Sequence, residues 1–256
     1  MGVQALRVRD VILGSGIPKI CVPIIEKSEQ DILAAAQKIC EYNPDCIEWR
    51  LDGFEDIDSI DQVLNVLRQL REKIGNTVLL TTFRTKKEGG ESDISVSDYK
   101  HLYQMLCKST FVDMIDIEAF MEEGLLREMC NFAHDNNVYV VASNHDFLST
   151  PGEPELVKRL MAMDAEGADL PKLAVMPQNK RDVISLLLAT LQYHEKGGIK
   201  PVITMSMAGM GMISRMAGEI FESAITFAAV GKASAPGQLP IEELRNILKV
   251  IHEHYE

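Results

Sequence analysis

The sequence has no apolar run approaching the roughly 18 residues that a membrane span requires. It also lacks the charged start, apolar stretch and small-residue cleavage site of a secretory leader, so no membrane or export role is expected. Basic residues are scarce: 26 Lys and Arg face 38 Asp and Glu, a formal net charge of −12. That balance argues against nucleic acid or an anionic membrane as a general partner. It still permits a locally basic pocket for an anionic substrate. Cysteines are few and odd in number (Cys21, Cys40, Cys46, Cys107 and Cys130), and no pair has CxxC spacing. They read as reduced thiols of a cytoplasmic protein. There is no low-complexity segment and no Pro/Gly/Ser linker, so residues 1–256 are expected to form a single domain.

What the chain does contain is a repeated rhythm. Hydrophobic residues make up 46%, enough for a sizeable core. Residues 6–9 and 11–13 suggest a β-hairpin, ended by Gly14-Ser15-Gly16. Strands are then expected at 19–24, 46–51, 78–83, 112–117, 138–142, 172–176, 201–205 and 224–230. Helical spacing lies between them, over 29–42, 60–74, 97–108, 122–135, 154–166, 180–194, 214–219 and 241–254. Eight strands alternating with eight helices over this length predict an α/β chain, a (β/α)8 TIM barrel with an N-terminal β-hairpin preceding the first barrel strand. A doubly wound sheet is disfavoured because no GxGxxG follows the first strand.

Barrel active sites sit at the C-terminal ends of the strands. Several strands carry polar residues there. In Cys46-Ile47-Glu48-Trp49-Arg50-Leu51, alternation gives the helices Ile47, Trp49 and Leu51 and turns Glu48 and Arg50 inward. Arg84 ends the third strand. Glu88 follows on a loop with Gly89 and Gly90, whose default reading is a mobile, solvated charge run. Asp116 and Glu118 lie near the end of the fourth strand, and His145 follows the fifth. In the sixth, Lys172 and Ala174 share the inward face. A buried amine, deprived of water, is pushed toward the neutral nucleophile of Schiff-base chemistry. The bland alternative is a lysine snorkelling from the strand mouth. Arg215 lies beyond a glycine-rich turn after the seventh strand.

These residues stand in motifs: Glu48-Trp49-Arg50 with Asp52, Phe83-Arg84-Thr85 running to Glu88-Gly89-Gly90-Glu91, Asn144-His145-Asp146-Phe147, Pro171-Lys172, Thr204-Met205-Ser206-Met207 running to Ser214-Arg215, and Ser234-Ala235-Pro236-Gly237-Gln238. Together, in this order and over nearly the whole chain, they resemble type I 3-dehydroquinate dehydratases. The resemblance implies a TIM barrel, usually a homodimer, that converts 3-dehydroquinate to 3-dehydroshikimate in the shikimate pathway, with no metal or other cofactor. It implies that Lys172 forms an imine, that His145 is the general acid/base and that Glu88 tunes it, favouring the imidazolium. It also implies that Glu48, Arg50 and Arg84 hold ring hydroxyls, that Arg215, Ser234 and Gln238 hold a carboxylate, and that Met205 and Phe147 shape an apolar wall. Pro23 stands where many members carry serine, and Met210 where a lysine is common.

Three rivals use the same residues. A class I aldolase-like barrel would keep the lysine and change the substrate. A metal-dependent hydrolase would draw on Glu48, Glu118, His145 and Asp146, though the sequence has no HxH among them. A non-catalytic barrel would only bind a small acid.

Overall fold

The computed structural model describes residues 3–255. A hairpin of β1 (Leu6–Val8) and β2 (Val11–Leu13) comes first. Eight parallel strands follow: β3 (Lys19–Ile24), β4 (Cys46–Arg50), β5 (Val78–Thr82), β6 (Met114–Glu118), β7 (Tyr139–Asp146), β8 (Leu170–Val175), β9 (Ile203–Ser206) and β10 (Ile225–Ala229). The helices between them are α1 (Glu29–Cys40), α2 (Ile60–Ile74), α3 (Val96–Lys108), α4 (Leu125–Asp135), α5 (Glu153–Ala165) and α6 (Lys180–Glu195). Two short helices, α7 (Met212–Met216) and α8 (Gly218–Phe221), lie between β9 and β10. The two-residue β11 (Leu239–Pro240) and α9 (Ile241–Glu253) end the fold.

Caps set several boundaries. Ser28 accepts from the Asp31 amide at the start of α1, and Asn179 and Asp182 form a capping box on α6. Ser95 caps α3 by accepting from the Asp98 amide, so the helix starts at Val96, one residue before the expected 97. The fourth helix begins at Leu125 because Gly124 takes a left-handed conformation (φ 79°) that interrupts any earlier turn.

Sequential pairing runs from β3 to β9, and β10 pairs with β3. The remaining seam, between β9 and β10, is closed by one bridge, Val202 to Ser223. The Ser223 hydroxyl supplements it. It accepts from the Thr204 amide at 3.0 Å and donates to the Thr204 carbonyl at 3.3 Å.

Alternation divides the core in two. Ile47, Trp49, Leu79, Ile115, Ile117, Val140, Leu173 and Val175 pack outward against the helices. Cys21, Cys46, Val78, Leu80, Met114, Val141, Leu170, Ile203 and Phe227 fill the inside. Val8 and Leu13 join that inner cluster, so the hairpin plugs the N-terminal end of the barrel. The opposite end is left for polar side chains. No helix among the described residues is long and apolar enough to cross a membrane.

Ser223 is buried. Ser223→Ala leaves the Thr204 amide unpaired at the seam, and should cost about 1–3 kcal/mol of stability, read as a lower denaturant midpoint. An unchanged midpoint would mean that the seam does not rely on this hydroxyl.

Candidate active site

Lys172 is third in β8, a strand that starts two residues before it and includes Pro171. Its inward phase carries the amine into the barrel, and the residue is only 3% exposed. Nζ donates to Asp116 Oδ2 at 2.8 Å and lies 4.8 Å from the centre of the Phe227 ring. Asp116 accepts further from Arg84 Nη2 at 2.7 Å and from the Ser143 hydroxyl at 2.5 Å. Arg84 Nη1 donates to Glu118 Oε1 at 3.1 Å, and Glu118 is held in turn by the Thr85 amide and hydroxyl. Burial alone would raise the Asp116 pKa. The Arg84 and Lys172 cations outweigh it and hold that carboxyl well below its usual range.

His145 lies within a strand rather than in a loop after one. β7 runs on to Asp146 because Asn144, His145 and Asp146 pair in register with Leu173, Ala174 and Val175 of β8. The polar run Ser143-Asn144-His145-Asp146 hides this extension from any apolar pattern. The His145 amide and Nδ1 both lie 2.9 Å from Glu88 Oε2. Phe147 stacks on the imidazole, with ring centroids 6.4 Å apart and planes at 19°.

Glu88 departs most from expectation. It is buried, at the end of a 3-10 turn over Lys86–Glu88. The loop is packed rather than solvated. Asp52 accepts from the Arg84 and Glu91 amides, and the Ser92 hydroxyl donates to the Asp52 carbonyl. Gly89 (φ 87°) lies against the Phe147 ring and Gly90 against the Arg84 carbonyl, where a Cβ would collide. The two glycines therefore permit close approach. Burial pushes the Glu88 pKa up to about 7, with help from Glu118 and against Arg84 and Asn144. His145 moves the other way. Burial, and then the Arg84 and Lys172 cations, hold its pKa well below the ordinary value. The imidazolium that a carboxylate neighbour is expected to favour is thus disfavoured on balance, because desolvation and the nearby cations outweigh the pull of Asp116.

Arg215, on α7, is 2% exposed. Among the described residues it meets no carboxylate: Nη2 donates to the Pro236 carbonyl at 3.2 Å, Nη1 approaches Met205 sulfur at 3.8 Å, and Nε finds no partner. Burial lowers its pKa to about 10. Gln238 Nε2 donates to Ser234 Oγ at 2.8 Å, which shapes the loop after β10. Thr82 Oγ1 donates to Glu48, and Arg50 forks onto Asp52 at 2.8 and 2.9 Å.

The candidate residues meet around one cavity of ≈ 240 Å³ at the C-terminal ends of the strands. Lys172, His145, Glu88, Glu48, Arg50, Arg84, Arg215, Ser234, Gln238, Met205 and Phe147 all line it, joined by Phe227, Met207 and Ala174. A larger groove of ≈ 720 Å³ lies along Asp58, Ser95 and His101. Its Lys86 and His101 are exposed to solvent, so it offers no desolvated nucleophile.

A sequence model described as type I 3-dehydroquinase matches residues 20–255. The chain belongs to the type I 3-dehydroquinase family. The 3-dehydroquinate dehydratase of Clostridioides difficile strain 630 is 47% identical, over 98% of each chain. That of Clostridium botulinum strain Eklund 17B is 46% identical, over 98% of this chain and 99% of its own. Among solved structures, the C. difficile type I enzyme with covalently modified comenic acid superposes with a TM-score of 0.95, at 47% identity and 98% coverage of both chains.

In this member of the type I family, sequence reasoning left Asp116 and Glu118 without a structural role. The signal was present: Met114-Ile115-Asp116-Ile117-Glu118 alternates, and its outward Ile115 and Ile117 turn both acids inward. Asp146 lies apart from the cluster, accepting from the Leu148 and Ser149 amides in a turn.

The raised Glu88 pKa has a sign in stability. Folding favours the protonated carboxyl between about 4.5 and 7, so its contribution is fully present below the unfolded value and lost as pH rises through the folded one. The loss should be on the order of 3 kcal/mol. Glu88→Gln should therefore flatten the fall in denaturant stability between pH 5 and pH 8 relative to the wild type. Parallel pH dependences in the two proteins would contradict the assignment.

Proposed function

We propose that this chain dehydrates 3-dehydroquinate to 3-dehydroshikimate through an imine on Lys172. The observation that carries the reading is the desolvated Lys172 amine, which shares a small cavity with the His145–Glu88 pair. Neutral His145 would take a proton from the Lys172 ammonium so that Nζ can attack the substrate ketone, and would pass that proton to the departing oxygen. Loss of water would give a protonated imine, an electron sink for the adjacent carbon, and leave His145 neutral again. His145 is suited to take the proton from that carbon. It is held neutral, and a Nδ1–H donated to Glu88 would leave Nε2 free as base. The same imidazole, now protonated, would give its proton to the departing hydroxyl. Hydrolysis of the conjugated imine would return Lys172 and release the enone. Asp116, whose carboxyl Arg84 and Lys172 hold well below its usual range, is assigned to orienting the amine.

Arg215 supports an anionic substrate. A buried guanidinium without a protein carboxylate is costly unless a ligand supplies the charge. We assign it the substrate carboxylate, with Ser234 and Gln238 beside it. Glu48, Arg50 and Arg84 are assigned the ring hydroxyls, and Met205 and Phe147 the apolar wall. We place the reaction in the cytoplasm, a setting supported by five free cysteines. We assign the whole chain to one barrel domain that works as a homodimer. Exposed Ile184 and Leu188, one turn apart on α6, support a partnered face.

Borohydride with 3-dehydroquinate should add one reduced adduct, found at Lys172 by peptide mass mapping. An unmodified Lys172 in a turning-over sample would sink the imine. His145→Ala should still form the adduct but turn over roughly 10²–10⁴-fold more slowly. Turnover near that of the wild type would remove His145 from proton transfer.

A further inference from the structure

The hydrogen-bond chain through His145 and Glu88 extends outside the cavity. Asn144 precedes His145 in β7, so alternation puts it on the helix-facing side of the sheet. Even so, its Nδ2 donates to Glu88 Oε1 at 3.0 Å. Its Oδ1 accepts from Arg159 Nη1 on α5 at 2.9 Å. Arg159 Nε in turn donates to Glu155 Oε1 at 3.0 Å, one helical turn back. A continuous line thus runs from Glu155 through Arg159, Asn144 and Glu88 to His145. Arg159 is half-buried, its side chain 24% exposed, at the outer end of this line.

The two ends of an amide have opposite roles, and a guanidinium can only donate. Arg159 therefore holds Oδ1 toward itself and leaves Nδ2 for Glu88. An N–H donor favours a carboxylate over a carboxylic acid. Turned by half a rotation, Asn144 would offer Oδ1 instead and favour protonated Glu88. Glu88 is balanced near neutrality by its burial, so a small change in hydrogen bonding decides its charge.

We propose that Arg159 is a positioning residue for the reaction: it fixes the Asn144 amide so that Glu88 remains a carboxylate and holds His145 by Nδ1. This rests on the proton-transfer roles proposed above for Glu88 and His145. The other charged groups facing that pair are Arg50 on β4, Arg84 after β5, Asp116 and Glu118 on β6, and Lys172 on β8. Among the described residues, none of these bonds to Asn144 or Arg159, so replacing Arg159 leaves their ion pairs standing.

The test compares Arg159→Met, Arg159→Lys, Asn144→Ala and the Arg159→Met/Asn144→Ala double variant. The readouts are the pH profile of kcat with 3-dehydroquinate and the imidazole titration of His145 by nitrogen NMR in the substrate-free enzyme. Arg159→Met should raise the acidic limb of kcat by about half to one pH unit, with KM changed less than about twofold. The His145 imidazole, facing a carboxyl that is more often protonated, should titrate lower than in the wild type, and Arg159→Lys should restore most of the wild-type behaviour. Asn144→Ala should produce a shift of the same sign, and the double variant no larger a shift than Asn144→Ala alone, because both act through one bond. A profile and titration in Arg159→Met that superimpose on the wild type overturn the proposal, as do additive shifts in the double variant. Arg159→Lys and Asn144→Ala decide by the same criteria if Arg159→Met does not fold. If the imidazole titration moves as stated while the wild type fails to turn over 3-dehydroquinate, the relay stands and the assigned reaction falls.

Discussion

Lys172 and Asp116 face each other at 2.8 Å inside the barrel, with almost no water to compete for either. Neither charge could be kept there alone, since an unpartnered buried ion costs roughly 3–5 kcal/mol. Two charges are not a closed set, however. Asp116 also serves Arg84, Arg84 also serves Glu118, and Glu118 fixes the Thr85 segment that leads to Glu88. The ion pair at the amine therefore shapes the loop that carries the partner of His145. The top of the barrel is a connected polar network in which each member limits the geometry of the next.

Burial then divides the labour among groups that would be similar in water. Asp116 lies between two cations and stays ionised. Glu88 lies near an acid as well as Arg84, and its carboxyl approaches neutrality. His145 lies near two cations and stays neutral. Two carboxyls and an imidazole are thereby made electrostatically different, in the way the proposed parts of fixed counterion, tunable partner and base require. Arg215 is buried and meets no carboxylate among the described residues, which is what supports the proposal of an anion beside it.

The barrel was legible because strand and helix periods alternate cleanly, and because the inward phase of Lys172 follows from its apolar neighbours Leu173 and Val175. The lining residues were legible as motifs at strand ends. Their electrostatics were not. Gly89 and Gly90 suggest mobility in a sequence, yet here they allow backbone and ring to pack closely over a buried Glu88. The polar end of β7 gives no apolar signal, yet pairing with β8 keeps it extended and stiffens the support of His145. Asn144 reads as a neighbour of His145. Its contact with Arg159, 15 positions along on another element, could not be read from spacing.

By itself, the sequence determined the alternation of elements, the inward face of each strand and the kinds of side chain gathered at one end of the barrel. These are local properties: period, phase and residue type. Only the tertiary structure decided which charges lie within hydrogen-bond reach and how much water remains around them. A pKa depends on both, and residues far apart in the chain set both. Hence the sequence supplied a lysine, a histidine and a glutamate, while packing made the lysine's counterion permanent, kept the histidine neutral and left the glutamate at the edge of ionisation.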